Sequence, residues 1–159
     1  MDCVFCKIVS GEIDSAKIFE DEDVLVFLDV NPISKGHCLV IPKMHYENVF
    51  VIDEKILKKV IIVGKNVADK LQKSLGASGA NFIHSSGRDA EQSVLHFHLH
   101  VVPRYENDLL NIHEWWHIKE NKVAFEQLKQ LSEEIKSFKS GAKIFAKTVA
   151  DPERFGVVE

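Results

Sequence analysis

No stretch of this sequence is apolar for long enough to cross a bilayer. Its hydrophobic residues, 45% of 159, come in short runs, well below the roughly 20 consecutive positions that a membrane helix needs. No membrane association is expected. The start, Met1-Asp2-Cys3-Val4, lacks both the basic and the apolar segments of a secretory signal, so a cytoplasmic protein is expected. Positive charge is also in deficit. With 20 Lys and Arg against 24 Asp and Glu, the formal net charge is -4, and no basic field suits a nucleic-acid surface. A small anionic substrate must then be held by particular side chains. Cysteine is scarce and odd in number: three thiols do not make a disulfide framework and leave free thiols or metal ligation. The length allows one well-buried domain and is short for two.

What is present is concentrated in Gln92-Ser93-Val94-Leu95-His96-Phe97-His98-Leu99-His100-Val101-Val102-Pro103-Arg104. Side chains alternate between the faces of a strand, so His96, His98 and His100 share one side while Phe97, Leu99 and Val101 share the other. One side is for packing and one for chemistry. A half-buried strand with a polar histidine face is the plain structural reading of such a pattern. Three histidines in register, preceded by Gln-Ser and stopped by Pro-Arg, point beyond it.

The flanking chain supplies elements for a mixed fold. Ala16–Glu20 and Val24–Asp29 read as the two strands of a hairpin around Asp21-Glu22-Asp23, and Cys38–Ile41 as a buried strand between Gly36 and Pro42. Ile56, Val60, Val63, Val67 and Leu71 recur at helical spacing between a capping Asp53 and a terminating Gly76. A long amphipathic helix is predicted there. Asn81–His84 reads as a strand that leads through the polar loop Ser85–Glu91 into the histidine segment. Trp115 and Trp116 read as packing residues before a second helix over Lys122–Phe138, where Phe125, Leu128, Leu131, Ile135 and Phe138 keep the spacing. At the other end Cys3-Val4-Phe5-Cys6 is open to redox, metal-binding and incidental readings. No βαβ setting supports the redox one, and a tetrahedral metal needs two further ligands.

The His-x-His-x-His motif with its two following apolar residues, together with Asp29-Val30-Asn31-Pro32 and Gly36-His37-Cys38-Leu39-Val40-Ile41-Pro42-Lys43-Met44-His45, resembles the histidine triad superfamily of nucleotidyl hydrolases and transferases. The resemblance implies an α+β, HIT-like fold: a mostly antiparallel sheet with the triad strand near its centre, a long helix after the third strand and a C-terminal helix. The domain would occupy residues 1–140. The segment 141–159 resembles a short internal part of bacterial sugar-phosphate nucleotidylyltransferases without their glycine-rich loop, and no function is carried over from it.

The implied reaction is cleavage at the α-phosphate of a purine nucleoside 5′-monophosphate derivative: a phosphoramidate, an acyl-adenylate or a dinucleoside polyphosphate. The resemblance makes His98 the covalent nucleophile, with His100 and His37 as further catalytic imidazoles. It assigns nucleotide contacts to Asp29, Val30, Ser85, Gln92 and Ser93. Ser85 stands where the family commonly has Asn, and its hydroxyl reaches less far than an amide. Phe5, Ile8 and Phe27 suit a base pocket and equally suit a core. The resemblance also implies a structural zinc site of Cys3, Cys6, His45 and His96, and a homodimer. Two other function classes are a three-histidine metal-dependent hydrolase and a nucleotide-binding regulator with negligible turnover.

Overall fold

The computed structural model describes residues 2–111 and 123–137. Trp115, Trp116, Phe138 and the segment 141–159 lie outside the described residues. The chain divides into two units, Met1–Leu110 and Asn111–Glu159.

The first unit is built on one antiparallel sheet. Its strands are β1 (Lys17–Glu20), β2 (Val24–Leu28), β3 (Cys38–Pro42), β4 (Gly79–Ile83) and β5 (Leu99–Arg104), in the order β1-β2-β3-β5-β4. The hairpin, the buried third strand and the antiparallel sheet are as expected, and β3 is the central strand with β5 beside it. Alternation along the strands gives the sheet two apolar faces. Val24, Val26, Cys38, Val40, Leu99 and Val101 pack with Val60, Val63, Val67 and Leu71 of the long helix α2 (Glu54–Leu75). Leu25, Phe27, Leu39 and Ile41 point the other way, onto Phe5 and Ile8 of a short N-terminal helix, α1 (Val4–Ser10).

Helix α2 has the boundaries its sequence predicts. The Asp53 carboxylate accepts from the N–H groups of Lys55 and Ile56 at 2.8 and 3.3 Å, and Gly76 closes the helix at φ +71°. Gly64 lets it approach β5: a Cβ there would lie 3.1 Å from Leu99 Cδ2 and 3.3 Å from Phe82 Cε2. Helix α1 was not expected. The C-x-x-C pair sits at its start, with Cys3 at the N-cap, and Gly11 at φ +81° ends it. In the second unit, α3 (Phe125–Ser137) matches the C-terminal helix, and its Phe125, Leu128, Leu131 and Ile135 are exposed.

Asp53→Ala removes the side-chain acceptor at the start of α2 and is expected to destabilise the protein by about 1 kcal/mol. Urea unfolding would read this as a lower midpoint with an unchanged slope.

Candidate functional site

Only His100 of the three triad histidines lies within β5, which begins at Leu99. The last pairs are Leu99 with Val40 of β3 and His100 with Ile83 of β4, so residues 96–98 run past the end of both neighbouring ladders. The alternation nevertheless continues: Phe97 is buried on the α2 side, and His96 and His98 are buried at 0% and 3% exposure. Phe97 N–H is held by the Tyr46 carbonyl at 2.6 Å.

Hydrogen bonds to the main chain fix the proton on each ring, because a carbonyl oxygen only accepts and an amide N–H only donates. His98 Nδ1–H donates to the His96 carbonyl at 2.7 Å, which leaves its Nε2 lone pair free. The ring lines a cavity of about 490 Å³. Ile33 N–H donates to His37 Nδ1 at 3.3 Å, so neutral His37 carries its proton on Nε2. That proton is donated to His100 Nδ1 at 2.9 Å, and neutral His100 is therefore a donor through Nε2. Asp29 accepts from Asn31 N–H at 2.8 Å, while its other oxygen stands 3.7 Å from His37 Nε2 and 3.9 Å from His100 Nδ1.

Burial keeps these imidazoles neutral. It lowers the pKa of His98 and His37 and, with the neighbouring His98 and His37, pushes His100 down to about 4; Asp29 opposes each shift. Phe5, Ile8, Phe27 and Val30 add apolar wall to the cavity, and Asp29 and Ser93 add polar groups. No Lys or Arg of the described residues lines it. An anion here would be met by neutral donors. Ser93 is exposed, with no hydrogen-bond partner among the described residues, and is available as one.

Two expected nucleotide contacts stand elsewhere. Gln92 is not a free donor: its amide donates to the carbonyls of Glu47 and Val94 at 2.6 and 2.9 Å and accepts from Gly87 N–H at 2.8 Å. It staples the 87–92 loop. Ser85 is half-buried and does not line the cavity, consistent with the short reach of its hydroxyl.

A second cluster lies beside the triad. Cys3, Cys6, His45 and His96 bring their ligand atoms within 4.8 Å of one another. Cys3 Sγ is 3.5 Å from His96 Nδ1, and Cys6 Sγ is 3.4 Å from His45 Nδ1 and 3.6 Å from His96 Nδ1. Zinc bond lengths at tetrahedral angles put sulfur and nitrogen ligands about 3.5 Å apart, so the spacing fits a tetrahedral cation. His96 Nε2–H donates to the Pro42 carbonyl at 2.9 Å, turning the Nδ1 lone pair toward the cluster. Burial and the adjacent Cys3 thiol push the Cys6 thiol up, a penalty that a divalent cation would remove. His96, His98 and His100 do not converge as one donor group. Among the described residues the converging sets are this cluster and Asp29, His37 and His100. In the latter, Ile33 N–H holds His37 in the tautomer whose proton occupies the gap.

The sequence reading left one contributor, Phe5, open between pocket and core and missed another, His84. Phe5 meets the rings of His98 and His96 edge-on at 5.3 and 5.8 Å. Its i, i+3 spacing with Ile8 ahead of Gly11 was the available signal. His84 donates from Nδ1 to the His98 carbonyl at 2.8 Å, and nothing local in sequence marks that contact.

A family model described as the HIT domain matches residues 10–107. The adenosine 5′-monophosphoramidase hnt1 of Schizosaccharomyces pombe is 36% identical over 137 residues, which cover 86% of this chain and 98% of that protein. Among solved structures, a HIT family protein from Bacillus anthracis superposes with a TM-score of 0.77 at 35% identity, covering 87% of this chain and 98% of the other. A zinc-bound histidine triad family protein from Mycobacterium smegmatis gives a TM-score of 0.68 at 41% identity, covering 70% and 81%.

The depressed His100 pKa has a consequence for stability. Between about pH 6.5 and about pH 4 the unfolded chain binds a proton at His100 that the folded chain does not, so stability falls as pH falls through that window. His100→Gln is expected to flatten this dependence by at most about 3 kcal/mol. Denaturant titrations of both proteins at several pH values check it; parallel curves would contradict it.

Proposed function

This chain belongs to the HIT family, and from that premise we propose that it cleaves purine nucleoside 5′-monophosphate derivatives at the α-phosphate through a covalent nucleotidyl-histidine at His98. The observation that carries this reading is the 2.7 Å hydrogen bond from His98 Nδ1 to the His96 carbonyl, which presents Nε2 to the cavity as a lone pair. A nucleophile needs an unprotonated nitrogen, and burial holds the ring neutral.

The other residues divide the remaining tasks. His100, with its proton directed to Nε2 by His37, donates to the phosphate or to the departing group. Ser93 donates to a non-bridging oxygen, and without a lining cation this neutral donor carries more of the developing charge. Asp29 accepts from the ribose hydroxyls. Val30, Phe5, Ile8 and Phe27 enclose the base. Among the possible leaving groups the amine of a phosphoramidate is favoured, since the fission yeast relative is named as a monophosphoramidase. The reading includes a cytoplasmic homodimer with its HIT domain over residues 1–140 and the segment 141–159 as an appendage.

We further propose zinc as the cation of the Cys3, Cys6, His45 and His96 cluster, in a structural role. The ligand spacing and the zinc-bound Mycobacterium smegmatis relative support this. Metal analysis of protein purified without chelators is expected to give near-stoichiometric zinc. Cys3→Ser combined with Cys6→Ser should lower the Tm more than it lowers kcat. Metal-free protein with wild-type stability, after loss in purification is ruled out, would defeat the proposal.

The catalytic reading is tested with adenosine phosphoramidate. His98→Ala should keep nucleotide binding and lose several orders of magnitude in turnover, while Ser93→Ala, lacking one donor, should lose about a hundredfold. Rapid quenching with an α-phosphate label should trap an acid-labile, base-stable adduct on His98. Wild-type turnover by His98→Ala, or inversion at phosphorus, would require direct attack by water instead.

A further inference from the structure

We propose that His84 is a positioning residue for His98, taking the place of the strand that the nucleophile lacks; this rests on the reading of His98 given above. Strand β4 pairs with β5 only as far as Ile83 opposite His100. Beyond that point the main chain of residues 96–98 has no ladder, yet it carries the ring on which the chemistry depends. His84, the next residue after β4, supplies the missing bond from its side chain: Nδ1–H donates to the His98 carbonyl at 2.8 Å.

The His84 ring is itself fixed from two directions. Val49 N–H donates to Ser86 Oγ at 3.0 Å, which turns the Ser86 hydroxyl proton toward His84 Nε2 at 2.6 Å. With Nε2 accepting, the proton of neutral His84 belongs on Nδ1, where the His98 carbonyl needs it. The ring also lies over Phe97, with centroids 4.1 Å apart and planes tilted by 30°. Phe97 separates His96 from His98, so the stack restrains the same peptide units that the hydrogen bond does. The result is a run of three hydrogen bonds from Val49 through Ser86 and His84 to the His98 carbonyl, in which only His98 lines the cavity. His84 touches no reacting atom and acts only through the aim of His98 Nε2. Placement errors of an ångström at a nucleophile are costly in rate, on the order of a hundredfold.

Two substitutions separate donation from packing. His84→Phe keeps a ring over Phe97 and has no donor; His84→Asn keeps an amide N–H near the Nδ1 position and has no ring. With adenosine phosphoramidate, His84→Phe is expected to lose about tenfold in kcat with KM changed less than about twofold, and His84→Asn to recover to within about threefold of wild type. Equal losses in both variants, or wild-type kcat in His84→Phe, overturn the inference. If His84→Phe does not fold, Ser86→Ala serves in its place: a severalfold loss of kcat at unchanged KM supports the orientation of His84, and an unchanged kcat overturns it. His98→Ala is assayed alongside. Turnover by His98→Ala at the wild-type rate removes the nucleophile and its positioning residue together. An inactive His98→Ala with a fully active His84→Phe removes only the role of His84.

Discussion

The candidate nucleophile depends on a hydrogen bond between near neighbours in the chain, His98 Nδ1–H to the carbonyl of His96. If that proton moved to Nε2, the cavity would face a donor where the proposed chemistry needs a lone pair. The bond forms just ahead of the strand, where the chain bends at residues 94–96 and residues 96–98 have left both ladders. The same constraint separates the roles of the histidines. His96 turns Nδ1 toward the cysteines because its Nε2 is held by Pro42, and His100 points Nε2 outward because its Nδ1 is occupied by His37. His96 and His100 thus carry the proton on Nε2 and His98 carries it on Nδ1, and what sets each ring is the partner of its second nitrogen.

This arrangement needs a sheet that is apolar on both faces. Helix α2 covers one face with Val60, Val63, Val67 and Leu71, and that packing fixes Phe97, Leu99 and Val101 from behind. The triad can then be buried on the opposite side without serving as the core. Burial lowers the imidazole pKa values, and it does so at no cost in unsatisfied polar atoms, since each of the three rings has a partner. Neutrality and fixed tautomers both follow from the same enclosure.

Much of this was legible in sequence because it rests on period and on local chemistry. The alternation from His96 to Val101, the spacing from Ile56 to Leu71 and the caps at Asp53 and Gly76 are properties of consecutive residues, and the structure follows them. What was not legible depends on distance along the chain. Helix α1 is seven residues long, too short for a periodic pattern to stand out. Gln92 has a residue type suited to binding phosphate, but its neighbours at Glu47 and Gly87 engage it first. His84 reads as an ordinary strand end until the early termination of the β4 ladder leaves its ring against Phe97 with Nδ1 at the His98 carbonyl. Composition could not reveal that, because the signal is the absence of a pairing partner. The cysteine pair lies between these cases: its spacing marked it as a ligand candidate, and only the fold brings His45 and His96 to it.

Helix α1 joins the two sites. A helix of this length does not persist in water by its own hydrogen bonds, so its position must come from what it touches. On one side Cys3 and Cys6 reach the imidazoles of His45 and His96; between them on the helix, Phe5 reaches Phe27 at 5.7 Å and His98 at 5.3 Å and forms part of the cavity wall. A cation at the cluster therefore fixes the helix that any base in the cavity would contact. By linkage, whatever factor the cation adds to ligand affinity, the ligand adds to cation affinity. A cation whose ligands touch nothing in the cavity would still bear on binding there, through the one short element that carries both thiols and part of the cavity wall.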